Sequence, residues 1–135
     1  MTKAVATTGV NHLTLTVTDV KRSCEFYTTI LNFQAVGEFG PRILLSNGSM
    51  VLVIGSAPDP AHALSGDRFD ENRVGLDHIS LSVSSRADLD EAVRLFEARG
   101  VPHGEIEDLG AGARLYVLAF RDPDNIQLEL SATYS

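Results

Sequence analysis

His12, His78 and Glu129 are the residues of this chain whose types and places best suit a metal ion. Two imidazoles and one carboxylate make the facial triad associated with non-haem Fe(II), a set that also suits Mn, Zn, Ni or Co. Three protein ligands leave positions open for water and substrate, as a catalytic site needs. A lone His at the start of a strand is ordinarily a satisfied polar residue. Repetition changes that reading here.

Gly9-Val10-Asn11-His12-Leu13-Thr14-Leu15-Thr16-Val17 lies over Gly75-Leu76-Asp77-His78-Ile79-Ser80-Leu81-Ser82-Val83 with Gly, His, Leu and Val coinciding and every other position conservative. A structural repeat preserves glycines and core apolar residues. It has no need to preserve a His on the non-core face.

The elements that follow each copy also match. Val20, Cys24, Tyr27 and Leu31 fall at helical spacing after the first, and Leu89, Val93 and Phe96 after the second. The spacing predicts helices over Val20–Leu31 and Ser84–Arg99, with Asp19 and Ser85 as N-caps and Gly100 as the second helix's end. Strands are predicted at Phe33–Phe39, Arg42–Ser46 and Ser49–Ile54, then at His103–Leu109, Arg114–Phe120 and Asn125–Leu130. Turns are predicted at Gly40-Pro41, Asn47-Gly48, Gly110-Ala111-Gly112 and Asp122-Pro123-Asp124. The fold class is therefore α+β, with two tandem βαβββ modules over residues 9–55 and 75–131. Residues 56–74, polar and carrying Pro58 and Pro60, read as the linker inside a single domain.

Side chains alternate across a strand. Leu13, Leu15 and Val17 should face the first helix, and His12, Thr14 and Thr16 the other way. Ile79, Leu81 and Val83 should face the second helix, with His78, Ser80 and Ser82 opposite. In the last strand Ile126, Leu128 and Leu130 go in, while Gln127, Glu129 and Ser131 go out. Each polar row thus carries one strong ligand type. A pseudo-dimeric packing of the halves would collect all three on one concave surface.

These motifs resemble a known family. Gly-x-x-His-x-x-Leu-x-Val, followed by Cys24-Glu25-Phe26-Tyr27 leading to Leu31 and Phe33, is similar to the vicinal oxygen chelate superfamily of glyoxalases, bleomycin- and fosfomycin-resistance proteins and extradiol dioxygenases. The second copy and the ending Asp122-Pro123-Asp124-Asn125-Ile126-Gln127-Leu128-Glu129-Leu130 resemble its second module. The resemblance implies a half-open mixed β-barrel around one divalent metal held by His12, His78 and Glu129. It implies a substrate with two adjacent oxygens and a homodimer, sometimes with modules shared between subunits.

The departures matter as much. Glyoxalase I and its epimerase relatives carry a fourth ligand, also the expected base, where the repeat alignment places Val53, and valine cannot ligate. Thr14 resembles the fosfomycin proteins, but their tyrosine before the Asp-Pro-Asp turn is replaced within Ala119-Phe120-Arg121, and Ala119 also stands where extradiol dioxygenases carry a tyrosine. Three readings follow: a dioxygenase or lyase/isomerase, a thiol transferase that opens an epoxide, and a drug-binding protein without metal or catalysis. Retention of all three ligand types favours the first two over the third.

Other residues could take part. His103 could be an acid/base near the metal and Tyr116 could line the cavity. Arg73, Arg114 and Arg121 could grip an anionic substrate, although exposed surface charge is their commoner role. His62 reads as a solvated linker residue, Phe26 and Tyr27 as packing residues. Cys24, the one cysteine, has no mark of a nucleophile.

Composition bounds the rest. The 135 residues make one domain's worth of chain. A net charge of −7 with only Lys3 and Lys21 as lysines disfavours nucleic acid and anionic membrane surfaces as partners, and leaves a small molecule. One cysteine excludes an intrachain disulfide. The N-terminal residues lack a signal peptide's apolar core, and no apolar run, Met50–Ile54 included, is long enough to span a bilayer. A soluble, cytoplasmic protein is expected.

Overall fold

The computed structural model describes residues 2–135. It divides into two compact units, Met1–His62 and Ala63–Ser135, each a βαβββ module with a four-stranded mixed sheet.

In the first unit β1 (Leu13–Thr16) leads into α1 (Val20–Thr29), then β2 (Gln34–Phe39), β3 (Arg42–Ser46) and β4 (Val51–Gly55), with a 3-10 turn at Pro60–His62. The strand order is β1-β4-β3-β2, with β1 parallel to β4 and the other pairs antiparallel. Asp19 caps α1 by accepting from the Arg22 backbone N–H at 3.0 Å. The helix buries Tyr27, whose ring meets Phe33 edge-on at 6.3 Å. Leu15, Val17, Leu45, Leu52 and Ile54 complete this core.

The second unit repeats the plan with β5 (Ile79–Ser82), α2 (Arg86–Arg99), β6 (Glu107–Asp108), α3 (Gly110–Ala113), β7 (Leu115–Arg121) and β8 (Gln127–Thr133). Its order is β5-β8-β7-β6, again with the first pair parallel. The Ser85 backbone N–H donates to Asp88 at 3.0 Å at the start of α2, and Gly100 closes the helix at φ 66, a conformation glycine adopts without strain. Phe96 of α2 stacks on Phe120 of β7 at 4.6 Å. Leu89, Leu118, Leu128 and Leu130 are buried in the same unit. Each such fully buried side chain stabilises the fold by about 1.5–3 kcal/mol.

Several boundaries differ from the sequence expectation. The strand expected over His103–Leu109 is reduced to β6 and an isolated bridge between His103 and Phe120, because Pro102 offers no N–H and Gly104 interrupts the run. The turn expected at Gly110 is the short helix α3, closed by Arg114 at φ 53. The last strand runs on to Thr133, with Ser131 and Ala132 buried. Among the described residues no helix is long and apolar enough to cross a membrane.

Candidate metal centre

The repeat is visible in backbone geometry before any side chain is considered. Gly9 and Gly75, each three residues before a His, have φ 128 and φ 139, and nothing crowds either Cα. Only glycine takes this region readily, so both modules turn alike into their first strand. Thr14 then pairs with Val53 and Ser80 with Glu129, in identical register.

The two histidines are anchored alike. Asn11 Oδ1 lies 2.8 Å from His12 Nδ1, and Asp77 Oδ1 lies 2.7 Å from His78 Nδ1. A carboxylate oxygen only accepts, so His78 Nδ1 is the donor and Nε2 is left free to bind something else. Asp77 is itself held, because Gln127 Nε2 donates to its Oδ1 at 2.9 Å and to its backbone carbonyl at 3.1 Å.

Glu129 meets His78 on this polar face. His78 Nε2 stands 3.7 Å from Glu129 Oε1, with side chains 37% and 19% exposed. Solvent can therefore reach the pair, while the carboxylate is largely screened. Ser131 Oγ donates to Glu129 Oε1 at 3.2 Å, and the Ser80 and Ser131 hydroxyls bond to each other. Two of the three expected donors are thus brought together in the second unit. His12 lies in the first, at the equivalent place before β1. Among the described residues no group of three or more His, Cys, Asp or Glu side chains gathers to hold a metal. An N donor held on its far nitrogen by Asp77 and an O donor held by Ser131, converging to 3.7 Å, do fit a divalent ion.

Arg121 extends this polar face. Its guanidinium grips Glu71 through two bonds of 2.7 and 3.0 Å, and also reaches the Asn125 carbonyl at 3.2 Å and Gln127 Oε1 at 3.5 Å. The Arg121 hydrogen bonds hold the Glu71 carboxyl down at about 2, and Glu71 in turn raises the guanidinium's pKa. The segment around Glu71 is stitched to the Asp122–Asn125 turn, with Phe69 N–H donating to Asp124 and Asn125 Nδ2 to Phe69. An open polar hollow of about 440 Å³ lies between them, lined by Arg68, Phe69, Asp70, Glu71, Arg73 and Asn125 among others.

The remaining expected residues lie elsewhere. His103 sits on the helix face beside Phe96, with Nε2 2.9 Å from Glu97 and Nδ1 2.6 Å from the Gly104 carbonyl. Tyr116 pairs with Ala132, so it shares the face of Phe120 and not that of Ala119, which stands opposite Glu129. The Tyr116 ring packs on Tyr134 at 4.8 Å and under the Arg86 guanidinium at 5.5 Å. The structure does not bring His103 or Tyr116 to the His78–Glu129 pair. Arg114 covers Tyr134, Arg73 lies 3.9 Å from Asp67, and exposed His62 pairs with Asp59. Burial raises the Cys24 thiol's pKa, which makes it a poorer nucleophile.

Asp77, Gln127 and Ser131 were not singled out from sequence as functional residues. Asp77 did carry a signal, since Asn11 precedes His12 in the same way. Glu71 carried none, because its partner Arg121 is 50 residues away.

Residues 9–130 match the model of the Glyoxalase/Bleomycin resistance protein/Dioxygenase superfamily. The chain belongs to this superfamily. It is similar to the crystal structure of a glyoxylase/bleomycin resistance protein/dioxygenase domain from Frankia sp. EAN1pec, with 32% identity, TM-score 0.78, and 96% of this chain and 95% of that one covered. The uncharacterized protein YwkD of Bacillus subtilis (strain 168) is 29% identical over 90% of this chain and 94% of its own. A mutant of the fosfomycin resistance protein FosX from Listeria monocytogenes, complexed with Mn(II) and 1S,2S-dihydroxypropylphosphonic acid, shares the fold at 22% identity and TM-score 0.70, covering 93% of this chain and 90% of that one. The superfamily, as its name states, includes enzymes, and this neighbour holds a divalent metal.

Proposed function

We propose that this protein is a metal-dependent enzyme that acts on a small substrate with two adjacent oxygens, in a dioxygenase or lyase/isomerase reaction. His12, His78 and Glu129 are its ligands for one divalent first-row ion. The observation that carries this reading is the approach of His78 Nε2 to Glu129 Oε1 at 3.7 Å, with each side chain tied back by a neighbour. His12, anchored like His78, supplies the third donor in the active assembly, a homodimer in this reading.

When bound, the ion supplies a Lewis acid for the substrate's oxygens. The chain's own residues do the rest. Asp77 and Ser131 hold the donors, and Glu71 neutralises the Arg121 charge beside them. Val53 is buried where Glu129 has its counterpart, so it offers neither a fourth ligand nor a base, which sets this reading apart from glyoxalase I.

Metal analysis of the purified, Mn²⁺-loaded protein tests it. One ion per chain, lost in His12→Ala, His78→Ala and Glu129→Ala, is the expected result. No stoichiometric metal, or no loss in His12→Ala, overturns it. Oxygen uptake by the Fe(II)-loaded protein with a panel of catechols then separates dioxygenase from lyase/isomerase chemistry.

A further inference from the structure

The residue before each candidate histidine ligand does something the repeat alone does not explain. It bonds to the ring's Nδ1, at 2.8 Å in one half and 2.7 Å in the other. The two halves differ in one respect. Asn11 is a neutral amide, while Asp77 is a carboxylate braced by one bond from Gln127 Nε2, which also bonds to the Asp77 backbone carbonyl. Gln127 in turn lies within 3.5 Å of Arg121, which Glu71 clamps. A continuous chain of polar contacts therefore runs from Glu71 through Arg121, Gln127 and Asp77 to the His78 ring.

We propose that Asp77, braced by Gln127, is the positioning residue that fixes His78 as the Nδ1–H tautomer and aims Nε2 at Glu129. The physical reason is that a free neutral imidazole can carry its proton on either nitrogen. Only one of those forms offers a lone pair at Nε2. A carboxylate at Nδ1 selects that form, stops ring rotation and makes Nε2 a better donor. The bracing matters because the Asp77 side chain is 67% exposed and would otherwise swing into solvent. The consequence for metal affinity rests on the metal reading above. The consequence for the ring's tautomer does not.

The test uses the full chain and two readouts. The first is the side-chain ¹⁵N spectrum of His78 in metal-free protein, at a pH where the ring is neutral. The second is the affinity for Mn²⁺ by titration. Wild type should show a protonated Nδ1 and an unprotonated Nε2. Asp77→Ala should shift the ring towards the Nε2–H form and weaken Mn²⁺ binding by about 10–100-fold, the usual effect of losing an outer partner of a ligating His. Asp77→Asn, which copies the Asn11 arrangement, should stay within a few-fold of wild type. Gln127→Leu should fall between Asp77→Ala and wild type.

An unchanged tautomer in Asp77→Ala overturns the proposal, as does unchanged Mn²⁺ affinity in Asp77→Ala when His78→Ala abolishes binding. Equal losses in Asp77→Asn and Asp77→Ala mark Asp77 as a direct ligand and also overturn it. Failure of the metal reading looks different, since Mn²⁺ binding would then be indifferent to His78→Ala while the tautomer still responds to Asp77→Ala.

Discussion

Val53 and Glu129 hold the same register position in the two sheets, Val53 across from Thr14 and Glu129 across from Ser80. The first sheet therefore shows what the second becomes without its carboxylate. Glu129→Val should keep the fold within about 1 kcal/mol, since a β-branched residue suits a strand and the side chain is part-exposed. Its Mn²⁺ affinity should drop by more than about 100-fold, beyond the loss of an outer partner. Thermal melts and metal titration on the same sample check both halves. A large loss of stability with metal binding intact would make Glu129 a structural residue.

The Glu71–Arg121 clamp should give a pH-dependent tie. The Arg121 hydrogen bonds lower the Glu71 carboxyl from 4.5 to about 2. A lowered acid contributes stability that is present above its unfolded value and is lost as pH falls through its folded one. Denaturation midpoints of wild type and Glu71→Gln should therefore differ above pH 4.5 and converge as pH falls from there through about 2. A gap that stays constant across that window would show that the charge is not what matters.

His103 should show the opposite sign. The Gly104 carbonyl, and then Glu97, raise its pKa above 6.5 against the effect of burial. A raised base contributes stability that is fully present below its unfolded value and fades as pH rises through the folded one. His103→Gln should be less stable than wild type at pH 6, with the gap closing on the alkaline side. The same variant should leave Mn²⁺ affinity unchanged within about twofold, because His103 sits on the helix face. Parallel loss of metal would return His103 to the catalytic side of the argument.

Much of this was legible in the sequence because period and repetition report directly on faces. Leu128 and Leu130 are buried and Glu129 is not, as strict alternation requires. The caps at Asp19 and Gly100 are local chemistry and were equally readable. The segment after Pro102 was not, because its pairing depends on which backbone groups β7 leaves available. Tyr116 shows the limit most clearly. Its alternation from Leu115 and Val117 was correct, but which of the two faces receives the helix is a tertiary fact, and Arg86 and Tyr134 occupy that side. The His78–Asp77–Gln127 chain was hidden for a similar reason, since Gln127 and Asp77 are 50 residues apart and meet only through the parallel pairing of β5 with β8.

His12 is the donor whose origin decides the architecture of the site. The second unit offers His78 and Glu129 as a pair, and no third such side chain joins them among the described residues. If a second copy of the chain supplies His12, then His12→Ala and His78→Ala chains should rescue one another. A mixed dimer pairs the intact His12 of one copy with the intact His78 and Glu129 of the other, and so rebuilds one of its two sites. Each variant alone should bind no Mn²⁺. After unfolding and refolding together in equal amounts, about half the dimers should be mixed, so about one quarter of the wild-type sites should return, on the arithmetic of random pairing in a two-fold assembly. Metal content after gel filtration reads this number. No recovery, with dimers formed and each variant folded, would mean that each chain completes its own site.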